Sequence, residues 1–319
     1  MWFWLSLITL LCWSGSDLFS KIGCRDADDK LSHLKMVIAV GTVMGLHAAF
    51  EIFVSGTPIS WSVIWTYLPV SLLYIGSMAL GYLGLRYIEL SVSSPICNSS
   101  GALVAVLTLL FVGGDDYSPL ALCAILLVCA GAIGLGVVDA TEDPELRAER
   151  QKDGNYKYAK SFLALALPVA YCLLDAAGTF ADNRVLEILT DRFLAAGMAA
   201  TRKECVDLAA ASANCAYELT FLAAAVVCFV YVVLIRKDKL IPRLEGPKYL
   251  GAICETAGQF AYIYAIADTS HLAMSAPIIA SYCAASVLWS RLFLKEKLSW
   301  KHYAMIGLIV IGIALMGML

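Results

Sequence analysis

Apolar runs of about twenty residues recur along this whole chain, separated by short charged or Pro/Gly-containing breaks. An α-helix rises about 1.5 Å per residue, so ~20 apolar residues cross the hydrocarbon core of a bilayer. Ten such runs are read at 2–22, 34–54, 63–85, 92–112, 118–138, 158–181, 215–235, 247–267, 271–293 and 300–318. Lipid leaves no backbone polar group a partner outside the protein, so only helices or closed barrels span it. A barrel needs short segments of alternating polarity, which these continuous runs lack. With 60% hydrophobic and 15% charged residues, the chain also has no stock of polar outer helices to cover a soluble bundle. The expected fold is an all-α polytopic membrane protein of ten transmembrane helices. The first run has no basic residue ahead of it and is followed by CRDADDK rather than a small-residue cleavage site, so it reads as a membrane helix.

The charged stretch VDATEDPELRAERQKDGNYKY falls near the midpoint and divides the ten runs into five and five. The expected organisation is a first five-helix repeat at 1–138, a charged linker at 139–157, and a second repeat at 158–319 with a polar insertion at 183–214. The fourth and ninth runs read SVSSPICNSSGALVAVLTLLF and HLAMSAPIIASYCAASVLWSRLF. Pro95 and Pro277 hold matching places in them, and the runs end on Phe111 and Phe293. An odd number of helices per repeat inverts the second copy, an arrangement that secondary transporters use for alternating access around a midplane site. The two prolines are gating candidates, with simple packing kinks as the alternative.

Asp17 and Asp175 lie inside the runs that open the two halves, each four residues after an aromatic side chain, Trp13 and Tyr171. An ionisable side chain at that depth is costly unless it faces a polar cavity or a partner. Glu255, Gln259 and Tyr262 follow an i, i+4, i+7 pattern and stack along one helix face. Asn98 and Tyr282, from the paired fourth and ninth runs, complete the candidate substrate-binding or coupling set. The competing reading is an interhelical hydrogen-bond set that glues the bundle. His47 and Glu51, four apart, read as a structural pair, with a proton relay as the alternative; Glu218 is expected at the interface and Glu89 in solvent at a helix boundary. Within 183–214, an amphipathic helix is expected from Arg184, with Leu186, Leu189 and Phe193 on one face, as a surface lid or a membrane-edge packing element.

Carboxylates beside Trp and Tyr suit an organic cation or an amine-bearing zwitterion, since ring faces attract ammonium groups by ~0.5–2 kcal/mol. Lys21 is the one basic residue read near that depth, which argues against strongly anionic solutes. A carboxylate that releases its proton when substrate arrives supplies proton exchange by competition. There is no zinc-type ligand spacing, no glycine loop in a strand-to-helix setting and no basic cluster with interleaved aromatics. The chain is therefore expected to use no metal, no cofactor and no nucleic acid. The eleven cysteines lack paired spacing and read as packing residues without disulfides. The four histidines, His33, His47, His271 and His302, lie mostly near run ends and form no nucleophile-base set, so no catalytic residue and no enzyme activity are assigned. No filter-like repeat suggests a channel. The readings kept beside an amine transporter are a neutral-metabolite transporter and a membrane receptor or scaffold. Internal duplication permits a complete pathway in a monomer, and a homodimer is equally compatible.

The chain resembles the drug/metabolite transporter superfamily, in particular its ten-helix EamA-type permeases. The resemblance is carried by Trp13 to Gly15 with Lys21, by RYIELSVSSP from Arg86 to Pro95, and by LFLKEKLSWKHYAMIGLIVIGIALMG from Leu292 to Gly317. In the last of these, Glu296 and Lys297 stand at the family's acid-base turn, and Gly307 and Gly312 in its glycine-rich final helix. The resemblance implies solute movement through a central cavity between repeats, without covalent chemistry, in a plasma or inner membrane. Two departures are the long polar 183–214 region and GGDDY around Gly114 to Tyr117, which lacks the basic member of the turn. The loops after the odd-numbered helices carry 19 of 23 Lys and Arg, leaving Arg184, Arg192, Arg202 and Lys203 on the other side. By the positive-inside rule both termini are outside; the resemblance implies that both are cytoplasmic.

Overall fold

The computed structural model of the protein describes residues 1–26, 28–111, 118–141, 162–267, 269–295, 298–316 and 318. Most of the charged linker, the Gly114–Tyr117 departure, Glu296, Lys297 and Gly317 lie outside the described residues. Within them the chain is all helical: α1 (Trp2–Cys24), α2 (Ser32–Phe53), α3 (Trp61–Tyr87), α4 (Leu90–Asn98), α5 (Ser100–Phe111), α6 (Pro119–Ala140), α7 (Phe162–Ala195), α8 (Arg202–Phe229), α9 (Pro242–Ile266), α10 (Leu272–Ala280), α11 (Tyr282–Trp289) and α12 (Trp300–Met316). A π-helical turn extends α8 through Val230–Ile235 and another extends α11 through Ser290–Leu294.

Six of these helical stretches are long and apolar enough to cross a membrane. The protein is an integral membrane protein of the all-α polytopic class. Its packing agrees with lipid as the outer solvent: Leu46, Phe50, Trp65, Leu72, Leu126 and Leu234 point outward and exposed, while Ser6, Thr9, Ser14, Ser71, Ser77 and Ser212 are buried. Apolar side chains gain little by hiding from lipid, so small and hydroxyl-bearing residues take the helix contacts.

Local chemistry sets several helix ends. The Ser60 side chain accepts from the Val63 N–H to start α3, and Thr201 with Glu204 forms a reciprocal capping box at the start of α8. The fourth and ninth runs are each interrupted, at Ser99 and at Ser281, four residues after Pro95 and Pro277. The Pro95 carbonyl accepts from the Ser99 N–H and the Pro277 carbonyl from the Ser281 N–H, so both breaks use the same local bond. The two interrupted helices cross where α5 packs on α10. Gly101 makes that crossing possible, because a Cβ there would stand 2.9 Å from the Ala276 carbonyl oxygen.

Around this crossing, α1 packs along α9, α3 along α7, α2 along α8 and α6 along α12. One end of the bundle is held by buried charge. Asp29 pairs with Lys35 at 2.9 Å and with Lys248 at 3.3 Å, and Lys248 also meets Glu245 at 3.1 Å. Arg86 Nη1 donates to the Asp29 carbonyl at 2.6 Å. Lys21 belongs to this end as well, donating to the carbonyls of Leu85 and Ile88 at 2.7 Å each.

Several sequence expectations change. Residues 183–214 form no separate insertion: 183–195 complete the 34-residue α7, a turn at Gly197 (φ +64°) reverses the chain, and 202–214 open α8. A helix of that length runs about 51 Å, well beyond the hydrocarbon core. Leu186, Leu189 and Phe193 share a face as expected, and it is buried with Cys205, Ala209 and Ala210, which fits the packing alternative and not the surface lid. His47 pairs with Glu218 at 2.8 Å instead of Glu51, whose carboxylate accepts from Thr57 at 3.0 Å. Glu218 is fully buried, also accepting from Asn214 at 3.0 Å. Glu89, at the start of α4, is buried rather than solvated. For His47 and Glu218 the partner stands on a helix that linear spacing does not reveal.

Candidate functional site

A cavity of about 80 Å³ lies beside the crossing of the interrupted helices. A single water needs ~10–15 Å³ on this scale, so there is room for several water-sized groups. Asp17, Asp175, Trp13, Asn98, Glu255, Gln259, Tyr262 and Tyr282 all line it. Thus the structure brings together every side chain that the sequence proposed for substrate binding or coupling. Pro95 and Pro277 are not on the wall; they sit one turn before the two helix breaks, whose flanking residues are.

Each carboxylate is held differently. Asp17 Oδ2 accepts from Ser94 Oγ at 2.6 Å and from Ser286 Oγ at 2.7 Å, so one oxygen of α1 is clamped between α4 and α11. Asp175 Oδ2 on α7 accepts from Ser100 Oγ of α5 at 2.7 Å. Asn98 Nδ2 donates to the Ser94 carbonyl at 2.8 Å and to its hydroxyl at 3.2 Å, fixing the serine that holds Asp17. Trp13 Nε1 donates to the Glu255 carbonyl oxygen at 3.3 Å. This bond orients its ring 5.0 Å from the Tyr262 ring and 5.8 Å from the Tyr282 ring.

Close helix approach builds the aromatic part of the wall. A Cβ at Gly258 would stand 2.4 Å from the Trp13 ring, and one at Gly81 would stand 2.9 Å from the Tyr171 ring. The two rings that precede Asp17 and Asp175 therefore each lie on a glycine of the facing helix. Ser20 Oγ, Tyr82 OH and Gln259 Nε2 are buried on the wall without a hydrogen-bond partner among the described residues. Buried polar atoms are nearly always hydrogen-bonded, so these three are free to meet water or solute.

The wall contains three carboxyl side chains, those of Asp17, Asp175 and Glu255, and no Lys, Arg or His among the described residues. Residues 193–318 match the EamA-like transporter family. That part of the chain supplies Glu255, Gln259, Tyr262, Pro277 and Tyr282, and the match supports a membrane transporter of the EamA type, consistent with a drug/metabolite permease. EamA-type transporters are not enzymes. Over 98% of its length the chain is similar to a solved crystal structure, of which it covers 95%, with a TM-score of 0.59 and 14% identity. At that identity the likeness concerns the fold alone. No curated protein matches the chain.

Sequence reasoning missed several wall residues, among them Tyr74, Tyr82, Thr179 and Tyr217. It also missed Asp182, which lies just behind the wall. Asp175, Thr179 and Asp182 repeat the i, i+4, i+7 spacing of Glu255, Gln259 and Tyr262, and that signal was available.

Proposed function

We propose that the protein is a secondary transporter moving a small amine-bearing cation or zwitterion through this cavity, by alternating access between two inverted five-helix halves. The observation that carries the substrate class is the shared wall of Asp17, Asp175 and Glu255 with the rings of Trp13, Tyr262 and Tyr282, without a basic side chain among the described residues. An ammonium group gains a carboxylate on one side and ring faces on the other. The repeat reading is supported by packing that survives exchange of the halves: α1 with α9 mirrors α7 with α3, α5 with α10 mirrors α11 with α4, and α2 with α8 and α6 with α12 are each self-paired.

Asp17 and Asp175 are the recognition carboxylates in this reading. A cation arriving at Asp17 competes with the Ser94 and Ser286 hydroxyls, which stand on the two interrupted helices. Binding thereby changes the load on both breaks, and the chain after Pro95 and Pro277 is where they bend. The buried ion pairs of Asp29 with Lys35 and Lys248 close one end of the bundle and would open when that side is exposed. Proton exchange follows because a protonated carboxyl binds no cation. A monomer contains the full pathway, in a plasma or inner membrane.

Counterflow in liposomes made from purified protein tests this, with choline, ethanolamine, putrescine and tetraethylammonium as probes. Accumulation of labelled probe against its unlabelled form is expected for at least one of them, with affinity falling as pH falls. Absence of counterflow for all four, with binding of an uncharged metabolite instead, would favour the neutral-solute reading. The hydroxyl-rich wall formed by Ser16, Ser20, Ser93, Ser94 and Ser100 is the feature that supports that second reading.

A further inference from the structure

Asp182 on α7 is fully buried and lies outside the cavity wall. Tyr67 OH donates to its Oδ1 at 2.7 Å, and Tyr74 OH to its Oδ2 at 3.2 Å. The Tyr74 hydroxyl is also hydrogen-bonded to the Tyr262 hydroxyl, and both reach Thr179 Oγ1 at 3.2 Å. Tyr74, Thr179 and Tyr262 line the cavity, whereas Asp182 and Tyr67 do not. A continuous chain of hydroxyls thus runs from a sealed carboxyl to the chamber where Tyr262 packs against Trp13.

We propose that Asp182 is a proton-carrying site separate from the substrate carboxylates, connected to the cavity by the Tyr74–Tyr262 hydroxyl relay. The identity of the coupling ion rests on the transport reading above; the relay does not. Among the described residues no cation faces Asp182. From α3 it meets Tyr67 and Tyr74, and from α9 the hydroxyl of Tyr262 stands behind Tyr74. From α8 the nearest titratable ring is Tyr217, 5.9 Å from the Tyr74 ring and itself donating to Met78 Sδ. Facing α7 from the other side, α5 has no titratable residue and α4 has only Cys97. On α7 itself, Asp175 is two turns away, and Arg184 is paired with Glu187. An ionised carboxylate at this depth is stabilised only by hydroxyls, so a proton is its natural partner.

Both protonation states keep every bond in the chain. With Asp182 ionised, Tyr74 donates to it and Tyr262 donates to Tyr74. With Asp182 protonated, the carboxyl donates to the Tyr74 oxygen, Tyr74 to Tyr262, and Tyr262 to Thr179 or to water in the cavity. Transfer outward breaks the Asp182 O–H bond and forms one on Tyr74. Tyr74 passes its own proton to Tyr262, and Tyr262 passes its own to a cavity water. The net change is one proton moved from Asp182 to water, with each tyrosine left neutral. A solute ring or ammonium that pulls on Tyr262 through Trp13 reorients the last hydroxyl of the relay.

Infrared spectroscopy of the full-length protein in liposomes, with no solute present, tests this directly. Wild-type protein is expected to show a buried protonated-carboxyl band that Asp182→Asn removes and that shifts promptly in deuterated water. Tyr74→Phe is expected to keep the band but slow its deuteration. A band unaltered by Asp182→Asn, or one that exchanges as fast in Tyr74→Phe as in wild type, overturns the proposal. If Asp182→Asn does not fold, Tyr67→Phe decides: loss of the bond to Oδ1 must move the band, and an unmoved band overturns the assignment. With tetraethylammonium as probe, Asp182→Asn is expected to retain counterflow and lose accumulation driven by a pH gradient. Accumulation retained in that variant defeats Asp182 as the coupling site while leaving the amine reading intact. Failure of wild type to carry the probe counts against the amine reading, and the infrared outcomes still decide the relay.

Discussion

Asp17 and Asp175 stand in similar local sequences, each one turn beyond an aromatic ring that packs on a facing glycine, yet their surroundings differ. Asp17 is clamped by two hydroxyls, Ser94 from the interrupted helix of the first half and Ser286 from that of the second. Among the described residues Asp175 has one hydroxyl partner, Ser100, from the first half. Similar placement therefore does not give equal coupling to the rest of the molecule. A solute that displaces the serines of Asp17 reports to both breaks at once, whereas one that engages Asp175 reports to α5. The difference teaches that a duplicated acid can keep its position while its partners diverge.

The largest expected effect is that of Asp17→Asn. Removing one partner of a buried charge pair costs ~2–5 kcal/mol, so amine affinity in a binding assay should fall by roughly 30-fold or more. Amine affinity measured against pH should lose most of its dependence, because protons compete with the amine at this carboxylate as pH falls. Asp175→Asn should weaken binding less, by about tenfold, and should leave part of the pH response. Equal losses in the two variants would break the asymmetry argued above.

Intermediate effects come from the ring and the clamp. Trp13→Ala removes a cation-facing ring and should reduce affinity by ~0.5–2 kcal/mol, read by competition binding at fixed pH. Ser286→Ala removes one of two hydroxyls from Asp17 and should shift the pH midpoint of binding, with a change of about 1 kcal/mol in affinity. Ser100→Ala removes the single hydroxyl partner that Asp175 has among the described residues, and its effect on amine binding should be the smallest of the series. A larger effect for Ser100→Ala than for Ser286→Ala would reverse the ranking of the two sites.

Much of the candidate site was legible before the fold was known. Intramembrane carboxylates are expensive wherever they fall, so Asp17 and Asp175 stood out by composition alone. Glu255, Gln259 and Tyr262 were readable because helical spacing fixes which residues share a face. Pro95 and Pro277 stood out by their matching places in the fourth and ninth runs, but Pro69 and Pro168 lie inside unbroken helices, so the breaks at Ser99 and Ser281 were not legible from proline alone. Asp182 followed the same spacing from Asp175 but lay one residue beyond the expected end of its span, at 181. His47 shows the opposite failure: its near neighbour Glu51 was the obvious partner, and Glu218, distant in sequence, is the real one. Local spacing ranks candidates within a helix and says nothing about the helix opposite.

By itself, then, the sequence determined that this protein is a helical bundle for lipid and which buried side chains needed explanation. Those follow from the cost of unpaired backbone and charge in an apolar medium, a cost that acts residue by residue. Only the tertiary structure decided that the acids and rings of α1, α7 and α9 share one chamber, that Asp17 holds two hydroxyls to the one held by Asp175, and that Asp182 is sealed behind Tyr74 and Tyr262. Those contacts join residues far apart in the chain, and the close approach of helices at positions such as Gly101, Gly81 and Gly258 creates them.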